Sequence, residues 1–259
     1  MRRQAVDKRE LDFSGKVALV TGGSRGIGKA IALALAERGA KVMICGRKED
    51  TLNAVRAEFK SLGHEVMARP AHIGKADQVK SLIESLEAEL GRLDILINNV
   101  GMNIFTPSLI DSDESLFDKV METNLKGPYI VTKEAVRLIR KSGEGRIINI
   151  SSIAARKAAM GMGFYCVAKA GLEMLTRVLA VELAQEKITV NSVAPCMVKT
   201  GFSKFFWGNE SLLPELTRMI PMGRIAEVED VVGSVLFLAS DLSGFVTGET
   251  ITVDGGSLA

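Results

Sequence analysis

Two tyrosines in this 259-residue chain, Tyr129 and Tyr165, each have a lysine four positions further on, Lys133 and Lys169. On a helix that spacing places phenol and ammonium on one face. A neighbouring ammonium favours the phenolate, so the tyrosine pKa is expected to be drawn towards neutrality, where the pair can move a proton to or from an alcohol or carbonyl oxygen. The spacing does not choose between the two pairs, but their surroundings do. Ser152 stands thirteen positions before Tyr165, just after the apolar run Arg146-Ile147-Ile148-Asn149-Ile150. A serine at the end of a buried strand can hydrogen-bond the same oxygen and stabilise the charge developing on it. Leu116 stands thirteen positions before Tyr129, with no strand between them, and Tyr129 follows Gly127-Pro128 inside a long helical stretch. Tyr129 therefore reads as a packing or interface residue, and Tyr165 as the proton-transfer residue.

The second feature with chemical meaning is the turn Thr21-Gly22-Gly23-Ser24-Arg25-Gly26-Ile27-Gly28, which joins a first buried strand to a first helix. Glycines there allow a tight turn, close approach of backbone to a phosphate, and intimate helix–strand packing. The helix N-terminus adds free N–H groups and a partial positive charge. The spacing of Gly22, Gly26 and Gly28 is G-x-x-x-G-x-G. Residues 23–29 also match the start of an ATP-binding loop, but Ala30 stands where Ser or Thr must hold Mg²⁺, which argues against phosphoryl transfer. A carboxylate about 20 positions beyond the glycines would bind a ribose 2′-OH and favour NAD. Gly46 occupies that place, and the adjacent Arg47, with Arg25 as a second cation, suits a 2′-phosphate. NADP(H) is the expected cofactor and NAD(H) the alternative.

These residues need a scaffold, and the hydrophobic pattern supplies one. Short apolar runs, read as strands at 17–20, 42–45, 65–69, 93–97, 146–150, 188–193 and 250–253, alternate with helical spacing at 27–38, 49–62, 78–90, 115–141, 164–185 and 228–238. Gly127-Pro128 is expected to kink or break the fourth of these helices. Strict alternation predicts an α/β, single-domain, doubly wound Rossmann fold: a seven-stranded parallel sheet with helices on both faces. Residues 1–14 read as a charged N-terminal tail and 15–259 as one dinucleotide-binding catalytic domain. Residues 197–222 read as a long loop serving as a substrate lid.

Composition narrows the class further. The chain is 47% hydrophobic and 25% charged, with a formal net charge of +2, so neither nucleic acid nor an anionic membrane is expected as a main partner. Cys45, Cys166 and Cys196 are scattered and odd in number, and His64 and His72 are the only histidines. That pattern fits a reducing compartment, predicts no metal site, and with no signal-peptide pattern or membrane-length apolar run implies a cytoplasmic protein.

Read in order, TGGSRGIG at 21–28, NNVG at 98–101, Asn124, Ser151-Ser152, YCVAK at 165–169, PCMVKT at 195–200 and VDGG at 253–256 resemble the short-chain dehydrogenase/reductase family over residues 14–256. Val100, Cys196 and His72 depart from the residues common at those positions. The resemblance implies a catalytic tetrad of Asn124, Ser152, Tyr165 and Lys169, with Asn124 holding a water that relays protons through Lys169. It implies cofactor contacts from Gly22, Ser24, Arg25, Gly26, Ile27 and Gly28 at the turn, from Arg47, His72 and Ile73 at the adenosine end, and from the Asn98 backbone and Gly101 near the ribose. Tyr165 and Lys169 also contact the cofactor, and Pro195, Val198 and Thr200 lie at the nicotinamide. A homotetramer or homodimer is implied by the same resemblance.

Met160, Met162, Phe164, Met197, Phe202, Phe205, Phe206 and Trp207 surround the expected site and lid, so the substrate is expected to be a largely apolar ketone or secondary alcohol. A 3-oxoacyl thioester of an acyl carrier protein or of coenzyme A is the rival, with Arg137, Arg140, Lys141, Arg156 and Lys157 as a basic docking surface. A non-catalytic dinucleotide-sensing or scaffold protein would keep the glycine turn but lose the tetrad.

Overall fold

A computed structural model describes residues 11–209 and 211–259. Strands β1 (Val17–Thr21), β2 (Lys41–Gly46), β3 (Val66–Pro70), β4 (Ile95–Asn98), β5 (Gly145–Ile150), β6 (Ile188–Pro195) and β7 (Thr250–Val253) alternate with helices. The helices are α1 (Gly26–Glu37), α2 (Glu49–Ser61), α3 (Ala76–Leu90), α4 (Glu114–Met121), α5 (Gly127–Ser142), α6 (Gly163–Leu183), α7 (Lys204–Trp207), α8 (Leu213–Arg218) and α9 (Val228–Ala239). All seven strands pair in parallel in the order β3-β2-β1-β4-β5-β6-β7. This is the seven-stranded doubly wound sheet that the alternation predicts.

The side-chain alternation of β1 shows why both faces must be covered. Ala18 and Val20 join one core with Ile31 and Leu35 of α1 and Val235 and Leu238 of α9. Val17 and Leu19 point the other way, into a second core with Leu82 and Ile83 of α3 and Val131 and Leu138 of α5. In β1, Val20 is in register with Ile44 of β2 on one side and Ile97 of β4 on the other. The strand order reverses at this point, so the loops leaving β1 and β4 diverge and open a crevice at the carboxyl ends of the strands.

Three expectations are corrected in detail. Residues 1–10 of the charged N-terminal stretch lie outside the described residues. Phe13, assigned to the same stretch, is 1% exposed and donates its N–H to Arg38 O at 2.8 Å, with Leu11 packed on the same core. The helix break does not fall at Gly127-Pro128. One π turn, Glu122–Lys126, joins α4 to α5 immediately before it. Pro128 has no N–H to give the carbonyl four residues back and crowds it sterically, and the wider turn accommodates both effects. The segment 197–222 is not irregular throughout, since it contains α7 and α8. Among the described residues, no helix is long and apolar enough to cross a membrane.

Candidate active site

The glycine turn is built against the loop that leaves β4. Thr21 Oγ1 donates to Ile97 O at 3.2 Å and accepts from Asn99 N at 2.9 Å. Asn99 Nδ2 in turn donates to Thr21 O at 3.0 Å and Gly22 O at 3.3 Å. A Cβ on Gly28 would lie 2.3 Å from Asn99 Nδ2 and 2.5 Å from Gly22 O, so only glycine fits there. Arg25 precedes α1 in extended conformation without a side-chain cap. The first N–H groups of α1 are therefore left for a ligand, as an anion-binding helix end requires.

The crevice is a cavity of about 960 Å³. Gly22, Ser24, Arg25, Gly26, Ile27, Arg47, His72, Ile73, Gly101, Ser152, Tyr165, Lys169, Pro195, Val198 and Thr200 all line it. Three expected residues do not. Gly28 is buried in the packing just described, and Asn98 and Asn124 are 1% and 0% exposed. The Asn98 amide bridges strands and helices instead, donating to Thr132 Oγ1 at 3.0 Å and Asn149 Oδ1 at 2.9 Å. Asn99 and Val100 face the cavity in its place. NNVG contains both asparagines, and the strand's two-residue alternation was the signal that could have separated the inward one from the lining one. Five cations line the cavity (Arg25, Arg47, Lys48, Lys157 and Lys169), and among the described residues no Asp or Glu does. Arg25, Arg47 and Lys48 sit at the ends of β1 and β2, where a phosphorylated ribose would lie.

Ser152, Tyr165 and Lys169 meet at the opposite end. Ser152 caps a single 3-10 turn (Ile153–Ala155), its Oγ accepting from Ala154 N at 3.1 Å, and it also hydrogen-bonds the Tyr165 hydroxyl. Lys169 lies one helical turn beyond Tyr165 on α6, with Nζ 5.6 Å from the Tyr165 ring centroid and donating to Ile150 O at 2.7 Å. The expected lowering of the tyrosine pKa is not what this geometry produces. Burial pushes the Tyr165 phenol up to about 12, against a smaller opposing effect of the Ser152 hydrogen bond. Burial likewise brings the Lys169 ammonium down to about 8. Desolvation outweighs the pairing because the ammonium is directed at a backbone carbonyl rather than at the phenol oxygen. A phenol held protonated is a proton donor, suited to an incoming carbonyl oxygen.

Asn124 sits in the π turn with its amide fully engaged. Nδ2 donates to Met102 O at 2.8 Å and Val120 O at 2.9 Å, and Oδ1 accepts from Met102 N at 3.1 Å. A Cβ on Gly101 would lie 3.3 Å from Asn124 Oδ1 and 3.6 Å from Lys169 Nζ, so both side chains converge on that glycine.

The methionine and aromatic residues separate into two groups. Met160, Met162, Met197, Phe202 and Phe206 line the cavity, and the Phe202 ring centroid is 6.1 Å from that of Tyr165. Phe205 is 74% exposed and packs edge-on against Phe206, while Trp207 Nε1 is spent on Thr200 O at 3.0 Å. Phe164 stacks edge-on against Phe117. None of Phe164, Phe205 and Trp207 is part of the lining.

Comparison with known proteins places the chain among oxidoreductases. Residues 22–257 match the family described as Enoyl-(Acyl carrier protein) reductase. The chain is 40% identical over 247 residues to a 3-oxoacyl-[acyl-carrier-protein] reductase of Synechocystis sp., covering 94% of this chain and 97% of that protein. It is 37% identical over 245 residues to human dehydrogenase/reductase SDR family member 4, covering 95% and 88%. A gluconate 5-dehydrogenase from Burkholderia cenocepacia, solved in complex with NADP and tartrate, superposes with a TM-score of 0.91 at 32% identity, covering 95% of this chain and 96% of that one.

Proposed function

The chain belongs to the short-chain dehydrogenase/reductase family, and from that premise we propose that it interconverts a largely apolar ketone and its secondary alcohol with NADP(H). The observation that carries this reading is the convergence of Ser152, Tyr165 and Lys169 on a cavity that is also lined by the uncapped N-terminus of α1 and by Arg25, Arg47 and Lys48, with no Asp or Glu in its lining among the described residues. The glycine turn suits a dinucleotide, because Gly28 has no room for a side chain and α1 offers free N–H groups. In this reading Gly22, Ser24, Arg25, Gly26 and Ile27 hold the phosphates, and Pro195, Val198 and Thr200 flank the nicotinamide. When bound, the dinucleotide supplies or accepts the hydride at the substrate carbon. In reduction, Tyr165 gives its hydroxyl proton to the carbonyl oxygen, so carbon gains a hydride and oxygen a proton. Ser152 steadies that oxygen, and Lys169 steadies the phenolate left behind. A non-catalytic sensor would not need a buried phenol and a buried lysine lining the cavity side by side. A proton donor placed for a carbonyl oxygen favours carbonyl over carbon–carbon double-bond reduction. The rival docking surface for an acyl carrier is only partly neutralised: Arg137 and Lys141 share Glu87, Arg140 pairs with Glu186 and Arg156 with Glu173, while Lys157 has no ion pair among the described residues.

Cofactor preference follows from Arg47. Gly46 offers no carboxylate, and Arg47 offers a guanidinium suited to a phosphate. Arg47→Ala is expected to weaken NADPH binding roughly tenfold or more, the value of a charge-assisted hydrogen bond, and to leave NADH binding nearly unchanged. Gly46→Asp should shift preference towards NADH, since a Cβ there has ordinary contact with Leu52 at 3.5 Å and a closer one, 3.3 Å, with Ser24 Oγ. Titration of both cofactors by fluorescence checks this, and tighter NADH binding by the unmutated protein would refute it.

The segment 197–222 is proposed as the substrate lid, with Phe206 rather than the whole aromatic triplet as its working surface. Ser203 Oγ anchors its start by donating to Val198 O. Phe206→Ser is expected to raise KM for an apolar ketone about tenfold, since burying a phenyl ring contributes about 1.5–3 kcal/mol. Phe205→Ser, on the outer face, should change KM less than twofold. Steady-state kinetics on the two single variants separate the residues, and an equal effect from both would overturn the assignment.

A further inference from the structure

Four of the five cavity cations have a use in the reading above. Arg25, Arg47 and Lys48 lie at the dinucleotide end, and Lys169 lies beneath Tyr165. Lys157 has none. It follows the 3-10 turn capped by Ser152 and donates its backbone N–H to Ile153 O at 3.0 Å. It stands on the short stretch of chain between Ser152 and Tyr165, and it lines the same cavity as both.

The base of that stretch is held firmly. Arg156 Nε donates to Glu173 Oε2 at 3.1 Å, and Arg156 NH1 donates to Thr252 Oγ1 at 3.0 Å. Glu173 is 4% exposed and also accepts from Ser151 Oγ at 3.2 Å. Arg156 is thus neutralised by Glu173 of α6 and held by Thr252 of β7, while its exposed neighbour Lys157 lines the cavity. Among the described residues, no carboxylate lies within salt-bridge distance of Lys157 and none lines the cavity. The same cavity is lined by the apolar side chains of Met160, Met162, Met197, Phe202, Phe206 and Met219. An exposed cation lining a cavity with apolar side chains and no carboxylate suits a molecule that is apolar along its length and anionic at one end.

We propose that Lys157 is a specificity residue that selects ketones carrying an anionic group remote from the reacting carbonyl over their neutral counterparts. This rests on the reductase reading and narrows its substrate class. The anion could be a carboxylate at the end of the substrate chain or a phosphate of a coenzyme A thioester, and both place negative charge against the same ammonium.

Two matched pairs of substrates, assayed by NADPH oxidation, test the proposal and separate the sources. The pairs are levulinate with methyl levulinate, and acetoacetyl-CoA with the acetoacetyl thioester of N-acetylcysteamine. The unmutated enzyme is expected to favour the charged member of at least one pair. In that pair, Lys157→Met should lower the charged-to-neutral ratio of kcat/KM about fivefold, the value of a partly exposed ion pair. Lys157→Glu should lower it about twenty-five-fold, because reversal adds a repulsion of similar size. A response in the levulinate pair assigns a carboxylate, and one in the coenzyme A pair assigns a phosphate. Turnover with no preference for charge, or a ratio that the Lys157 variants leave unmoved, overturns the subsite alone. Absence of NADPH oxidation with all four compounds overturns the subsite, and its absence with a neutral aryl ketone assayed beside them overturns the reductase reading itself.

Discussion

Tyr165→Phe is expected to lower turnover about a thousandfold while cofactor binding stays unchanged. The substitution removes one oxygen, and with it the proton that this mechanism transfers to the substrate carbonyl. Positioned general acids contribute about 10²–10⁴-fold, and the residual rate should come from hydride positioning and the Ser152 hydrogen bond. The ring remains, so the contact with Phe202 and the packing of α6 persist. Tyr129 is the internal control. It has the same lysine spacing but is 45% exposed on α5 and does not line the cavity, so Tyr129→Phe should keep most activity. The pH dependence adds a second check. With the phenol pushed up to about 12, Tyr165 stays protonated in reduction, and the reductive rate should be flat until Lys169 titrates at about 8. Above that point the rate should fall, because the ammonium that steadies the departing phenolate is lost. Oxidation needs the phenolate, whose fraction rises about tenfold per unit below the pKa, so the oxidative rate should climb with pH. The Phe variant should lose that climb. An active Tyr165→Phe beside an inactive Tyr129→Phe would reverse the assignment of the site.

The sheet was legible in the sequence because parallel strands covered on both faces must be apolar at consecutive positions. Val17-Ala18-Leu19-Val20 and Ile147-Ile148 have no other ready use. What escaped was whatever depends on partners distant in sequence. Periodicity continued through 115–141, so the π turn at Glu122–Lys126 could not be seen. It forms where Pro128 withholds a hydrogen bond and where Met102, twenty-two residues from Asn124, supplies both halves of a replacement. The Tyr165–Lys169 pair was visible as a spacing, but its electrostatics were not. Burial depends on everything packed around α6, and the direction of the lysine depends on the free carbonyl of Ile150. The lid shows the same division. Its aromatic content pointed to a cover, yet only contacts decide that Phe206 faces inward, Phe205 outward, and Trp207 is held by Thr200.

Asn124→Ala is expected to damage stability as well as turnover, which distinguishes the structure from the water-relay role implied by the family resemblance. The Asn124 amide satisfies the N–H and C=O of Met102 and the C=O of Val120, and its residue is 0% exposed. Removing it leaves the part-buried N–H and C=O of Met102 without that partner, at about 1–3 kcal/mol in all. A loss of about 3 kcal/mol corresponds to a fall in Tm of roughly 6–12 °C for a domain of this size. Because Met102 follows Gly101 at the cavity wall, the same change should loosen the surface against which Lys169 is set, and kcat should fall with it. Asn124→Asp keeps the acceptor for Met102 N but withdraws both donors and places a carboxylate before two carbonyl oxygens. It should therefore be no more stable than the alanine variant, despite its matching shape. If Asn124 acted only by holding a water for Lys169, both variants would lose turnover at an unchanged Tm. Thermal unfolding measured beside single-turnover reduction decides between the two, and a full loss of Tm with wild-type single-turnover rates would show that the residue serves the fold alone.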